Sequence, residues 1–323
     1  MLRTAVENAK ALVDAGEAKT KLSVSRMLLL GVLAGAYIGF GAHLATVVST
    51  GTWECWGLSR LAVGAAFTVG LMLVVVAGAE LFTGNNLMTV ALCSGRIGLG
   101  GLLRNWALVY LGNLIGSIGL ALIIAKGSGL LAGPVGGTAI TIAAAKINGA
   151  PIEGLNHNLA FFFRAIACNW LVCLAIVMAM ASPSASGKFL GIFFPITAFV
   201  ASGFEHCVAN MYFIPAGIFA KGFQAAQASC GLEAGQLAAL NWVTMWTQNL
   251  ASVTLGNIVG GGIFVGVAYF LANLCGREAV RPAPEMAQPR MRPALAPERA
   301  AAESLAVEPQ PAHPRTAEVI SQR

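Results

Sequence analysis

Six apolar runs dominate the chain, at about 27–49, 61–93, 103–125, 159–181, 189–220 and 250–274. A helix needs about 20 residues to cross the hydrocarbon core of a bilayer, so four of these runs predict one membrane helix each. The second and fifth, at 33 and 32 residues, exceed one crossing and fall short of two joined by a turn. Each carries a polar interruption: "GAELFTGNN" at 78–86, with Glu80 and Thr83, and "GFEHCVAN" at 203–210, with Glu205, His206 and Asn210. The pattern predicts two broken helices whose non-helical backbone sits at membrane depth, which is tolerated only against protein or a water-filled cavity.

Composition agrees. The 323 residues are 57% hydrophobic and 11% charged, against roughly 25% charged in a soluble domain. This is an all-α integral membrane protein. Residues 1–26 read as a basic, amphipathic arm rather than a cleavable leader, residues 27–275 as the six-span unit, and 276–323 as a Pro- and Ala-rich disordered tail. The net charge of +6 comes from lysines and arginines clustered at the two ends of the chain, so it is no nucleic-acid signal. The arm holds Arg3, Lys10, Lys19, Lys21 and Arg26. The loops after spans two and four hold Arg96, Arg104 and Lys188, and the tail holds more, whereas the alternate loops have only Arg60, Lys126, Lys146 and Lys221. By the positive-inside rule both termini are expected in the cytoplasm, in a multi-pass protein of the inner or plasma membrane.

The third and sixth spans repeat a pattern. "YLGNLIGS" at 110–117 matches "TLGNIVGG" at 254–261, and each follows an Asn-Trp pair, Asn105-Trp106 and Asn241-Trp242. Spans 1–3 and 4–6 therefore read as two copies of one unit. With three spans per copy, the copies lie in opposite orientations, a plan that places a transport site where the repeats meet.

Among single residues, His206 is either a structural histidine tying down loop backbone or a group that exchanges a proton or presents a donor to an anion. Glu205 reads as a brace for the break, bonding backbone amides or Asn169 and Asn210. Thr83 can donate to an anion or to the His206 ring, or cap the half-helix that follows it. His43 with His206 would be the axial pair of a membrane haem protein, but nothing in the sequence places them face to face. The seven cysteines show no close metal spacing, and no Ser/His/Asp constellation supports an enzyme. Neither a cofactor nor a metal is expected.

The stretches "AELFTGNNLMTVA", "CNWLVCLAIVMA", "ASGFEHCVANMYFIPAGI" and "TLGNIVGGGIFVG" resemble the signature segments of the formate/nitrite transporter family, over about residues 5–274 and most like its formate-carrying members. The resemblance implies an aquaporin-like protomer in a homopentamer, carrying formate, nitrite or hydrosulfide, often with a proton. It also implies that His206 is the central pore histidine, that Phe67, Leu71 and Phe199 form the cytoplasmic constriction, and that Leu81 belongs to the outer one, with Phe204 also flanking the breaks. One feature departs from the family pattern. The family's lysine sits about sixteen residues before the equivalent of Asn169, where this chain has Glu153, and Lys146 is 23 ahead. A short insertion, "INGAPIEGL", accounts for the difference; whether Lys146 or another residue is the outer cation stays open.

Overall fold

The computed structural model describes residues 1–149 and 156–276, so Glu153 and the tail at 277–323 lie outside the described residues. Every regular element described is helical. Five helices are long and apolar enough to cross a membrane: α2 (Val24–Val48), α3 (Trp56–Gly78), α6 (Leu99–Gly127), α8 (His157–Ala181) and α13 (Trp242–Asn273). Before them comes α1 (Ala5–Thr20). The second apolar run divides at Ala79–Leu81, after which α4 (Phe82–Asn85), a 3-10 turn and α5 (Thr89–Cys93) complete it. The fifth divides into α9 (Ala185–Ala201) and α10 (Cys207–Ala220). Both breaks fall at the predicted polar interruptions. α7 (Pro134–Asn148), α11 (Gln224–Cys230) and α12 (Ala234–Ala239) fill two of the connections.

Two features go beyond the sequence pattern. The arm is a docked helix: Thr4 and Glu7 close a capping box at its start, and Ala9, Leu12 and Val13 are fully or almost fully buried. Arg3 and Asn8 bond the carbonyls of Met180 and Val177 on α8. The loop between spans three and four contains α7, which at 15 residues is too short to register as a span. Its Ala139, Ile140, Ala143 and Ile147 are buried against α10 and α11.

Glycine decides how closely the long helices cross. A methyl group on Gly112 or Gly116 of α6 would collide with the carbonyls of Leu28 or Val32 on α2. A methyl on Gly256 or Gly260 of α13 would meet the carbonyls of Phe162 or Ile166 on α8 in the same way. The repeated "GNxxG" is thus read twice by the fold, as two equivalent helix crossings in which small residues let backbones approach.

Two outcomes are expected. Gly116→Ala and Gly260→Ala should each destabilise the fold by about 1–3 kcal/mol through overpacking, whereas Gly100→Ala, which faces open space, should not. Thermal melts in detergent distinguish them. The second concerns α1, where hydrogen bonds from Lys21 and then Arg96 hold the Glu17 carboxyl below its ordinary range. A depressed folded pKa gives stability that is present above the unfolded value, about 4.3, and lost as pH falls through the folded one. Amide hydrogen exchange should therefore show the α1 end loosening below about pH 4, with the long helices unchanged.

Candidate functional site

Each break begins at a glycine in the left-handed region, Gly78 (φ 85°) and Gly203 (φ 77°), which reverses the chain without a Cβ clash. Beyond it the backbone is extended, and its N–H and C=O groups need partners because no water is at hand in lipid. One asparagine serves each break. Asn113 Oδ1 accepts from the Phe82 amide at 2.9 Å, and its Nδ2 donates to the carbonyls of Gly31 and Glu80 at 2.8 and 2.9 Å. Asn257 Oδ1 accepts from the Cys207 amide at 2.9 Å, and its Nδ2 donates to the carbonyls of Ala165 and Glu205 at 2.8 and 3.0 Å. These are the asparagines of the two "LGN" triplets.

A second bracket holds each acid. Glu80 takes Lys19 at 2.6 Å and Asn85 at 2.7 Å, and Asn85 also donates to Asn105 at 2.8 Å. Glu205 takes Lys146 at 3.0 and 3.1 Å and Asn210 at 2.6 Å, and Asn210 also donates to Asn249 at 2.7 Å. An intramembrane carboxylate survives by this kind of pairing. The repeat partner of Asn105 is therefore Asn249, not Asn241, which caps the start of α13 instead. Glu205 braces the break through Lys146 and Asn210 as well as its own backbone. Asn169, expected beside it, instead donates to Thr83 O, Asn86 Oδ1 and Asn257 O at 3.2, 2.8 and 2.7 Å, tying one break to the other.

The two halves differ at one telling position. The residue after Glu80 is Leu81, and the residue after Glu205 is His206, each starting its half-helix in extended conformation. His206 Nδ1 accepts from the Ala209 amide at 3.0 Å, so the ring is the N-cap of α10. Its Nε2 lies 2.9 Å from Thr83 Oγ1 across the gap between the breaks. With Nδ1 acting as acceptor, the network assigns the neutral ring as the Nε2–H tautomer donating to Thr83. The Thr83 hydroxyl hydrogen is then left to point elsewhere. Thr83 does not cap its own half-helix. His206 thus ties down backbone through Nδ1 and faces the threonine through Nε2 at once. With both ring nitrogens engaged it is a poor haem ligand; His43 stands instead edge-on to the Tyr212 ring. Among the described residues, no cluster of His, Cys, Asp and Glu could hold a metal ion.

A cavity lies on either side of this pair. One, of about 330 Å³, is lined by Arg60, Phe67, Lys146, Arg164, Phe199, Phe204, Glu205 and His206, and touches Ala45 and Ser49 at the end of α2. The other, of about 460 Å³, is lined by Lys19, Arg26, Glu80, Leu81 and Asn85, and touches Leu30 near the start of α2. Phe199 stacks on the His206 ring at 6.0 Å and Phe67 meets Phe199 edge-on at 5.7 Å, forming an apolar collar at the first cavity. Leu71, farther along α3, is buried in the core. Relative to the arm, Phe67 and Phe199 lie on the far side and Leu81 on the near side, the reverse of the order the resemblance implies if the arm marks the cytoplasm. The role of Lys19 is not visible in sequence, where it counts only among the five basic residues of the arm. The usable signal was spacing: Lys19 precedes Glu80 by 61 residues and Lys146 precedes Glu205 by 59.

A membrane-embedded helical bundle whose two broken helices meet between two cavities is the architecture of a channel or transporter. The chain belongs to the formate/nitrite transporter family, whose model matches residues 6–271. It is 43% identical over 284 residues to a "Probable formate transporter" of Methanothermobacter thermautotrophicus, covering 84% of this chain and 97% of that protein. It is 35% identical to the "Nitrite transporter NirC" of Escherichia coli K12, covering 75% and 81%. Among solved structures it resembles a "Pentameric formate channel with formate bound", with a TM-score of 0.69 and 40% identity over 77% of this chain and 97% of that one.

Replacing Asn257 by alanine leaves one buried amide and two carbonyls without partners, at about 1–3 kcal/mol for each unsatisfied group. Asn257→Ala is expected to melt well below wild type in detergent and to lose the folded species on size-exclusion chromatography. Asn113→Ala should behave alike, because the two brackets are equivalent. A wild-type melting curve for either would show the break does not depend on it.

Proposed function

We propose that the protein carries formate across a membrane, using the paired Thr83 and His206 between the two cavities as the transfer point. The 2.9 Å contact between these side chains, one from each break, carries the reading. Support for the substrate comes from family membership and from the formate-named relatives on both the sequence and the structure side. A nitrite carrier is the second reading, favoured by the similarity to a nitrite transporter; both anions are small, planar and singly charged.

The distribution of lysine and arginine favours cytoplasmic termini. The cavity beside the arm is then the inner vestibule, with Leu81 at its floor, and the one behind Phe67 and Phe199 is the outer vestibule. A homopentamer, as in the similar solved channel, is the proposed assembly.

The mechanism follows from which atoms are free. The neutral His206 ring gives its Nε2 hydrogen to Thr83, and the hydroxyl hydrogen of Thr83 is available to a carboxylate oxygen. Acid adds a proton at Nδ1, the atom whose lone pair holds the Ala209 amide. Charging the ring therefore releases the cap of α10, and charge and local geometry change together. The imidazolium stabilises the bound anion and has a proton to pass on through Thr83. In water at pH 7 about one molecule in a thousand of a simple carboxylic acid is neutral. An apolar collar of Phe67 and Phe199 disfavours the charged form and so raises that fraction locally.

The test is formate uptake into proteoliposomes across about pH 5–8, which brackets the ordinary imidazole range. Wild-type flux should rise as pH falls. His206→Asn should flatten that profile, and Thr83→Ala should lower flux while keeping some pH response. An unchanged profile in His206→Asn would make the ring a structural cap and nothing more. If nitrite but not formate is taken up by wild type, the second reading replaces the first.

A further inference from the structure

The outer vestibule contains two guanidinium groups that the transfer point does not use. Lys146, the cation expected to attract anions there, is already engaged: both oxygens of Glu205 lie within 3.1 Å of its Nζ, at 3.0 and 3.1 Å. Its charge is balanced within the bracket, and it is nearly buried, with a side chain 15% exposed. Arg60 is anchored differently. Its Nε and Nη2 donate to the carbonyls of Ala201 and Val200 at 3.0 Å each, at the end of α9, which leaves its Nη1 face unspent. Arg164 has no acceptor for its side chain among the described residues. Its guanidinium lies over the Phe161 ring, 5.7 Å from carbon to centroid, and this places it against the wall of the same cavity. Its backbone carbonyl receives the Glu205 amide at 3.4 Å, so the residue is fixed to the break itself.

We propose that Arg164, assisted by Arg60, is the anion-capturing cation of this vestibule in place of Lys146, and that the pair selects planar monovalent oxyanions. The inference rests on the formate reading above and deepens it. The chemistry of the ligand follows from the donor. A guanidinium presents parallel N–H groups whose spacing matches the two oxygens of a carboxylate or of nitrite, whereas an ammonium is a point charge without that fork. An anion with a single acceptor atom, such as hydrosulfide, gains from the charge but not from the geometry. The cation–π contact with Phe161 restrains the guanidinium, so less side-chain freedom is lost when an anion docks. The captured anion then lies in the cavity that Phe199 and His206 also line, on the path to Thr83. Capture should govern how much anion reaches the collar, not the rate of passing it.

The experiment uses the full chain in proteoliposomes and compares wild type, Arg164→Gln and Arg164→Lys. Arg164 is only partly buried at the cavity wall, so both variants should fold, which thermal melts verify. Initial rates of formate uptake, and their inhibition by hydrosulfide, are measured at low ionic strength and at about 0.5 M salt, where the Debye length shrinks to a few ångströms. Arg164→Gln is expected to raise the KM for formate about tenfold at low ionic strength, the lower end of electrostatic focusing effects, with the maximum rate unchanged. The difference should shrink at high salt. Arg164→Lys should restore wild-type inhibition by hydrosulfide but leave the formate KM raised several-fold. A wild-type KM in Arg164→Gln, or a lowered maximum rate at unchanged KM, overturns the capture role. Equal recovery of formate and hydrosulfide in Arg164→Lys overturns selection by shape. Failure of wild type to take up formate would instead remove the transport reading, so the two failures are separable.

Discussion

Two asparagine side chains make this architecture possible. A chain that leaves the helix at membrane depth exposes amides and carbonyls that lipid cannot satisfy, at a cost of several kcal/mol per group. Asn113 and Asn257 each meet three such groups with one carboxamide, accepting from an amide and donating to two carbonyls. An aspartate would lack the donors, and a leucine of similar size would leave all three groups bare. The flanking glycines, Gly112 with Gly116 and Gly256 with Gly260, bring the helices close enough for the carboxamides to reach. With the breaks secured, the acids, the lysines and the histidine can be placed.

The site arises where the symmetry fails. Both halves carry the same series of groups: a left-handed glycine, an acid, a lysine and three asparagines. At the equivalent next position one half has Leu81 and the other His206. The leucine faces the arm-side cavity; the histidine caps α10 and meets Thr83 of the opposite break. A duplicated scaffold thus holds one titratable ring in a fixed orientation without a second ring to compete with it. The same duplication explains why α1 is docked rather than loose. Lys19 reaches Glu80 from α1 as Lys146 reaches Glu205 from α7, so the arm supplies to the first half what an inner helix supplies to the second.

Much of this was legible in the chain. The lengths of the second and fifth apolar runs required breaks, and polar residues marked where. The "LGN" triplets reveal the repeat, and contact with His206 is one of three options the sequence leaves for Thr83, although in the structure the ring is the donor. What escaped had physical reasons. α7 is too short to signal a span and reads as small apolar residues in a loop. The pairing of Lys19 is invisible in sequence because its partner lies 61 residues away, and the docking of α1 because the surface that covers Ala9, Leu12 and Val13 comes from distant segments. An Asn-Trp pair makes Asn241 more visible than Asn249, yet Asn105 and Asn249 each stand eight residues before the asparagine that braces their break.

The central claim is that the breaks hold the His206 ring with Nδ1 as acceptor and Nε2–H directed at Thr83. Nitrogen-15 NMR of the protein, labelled at histidine and assigned by comparison with His206→Asn, reads this directly at neutral pH. The account requires a bare, acceptor-type Nδ1 and a protonated Nε2 in the absence of anion. A proton on Nδ1 at neutral pH, in either the other tautomer or the cation, would contradict it.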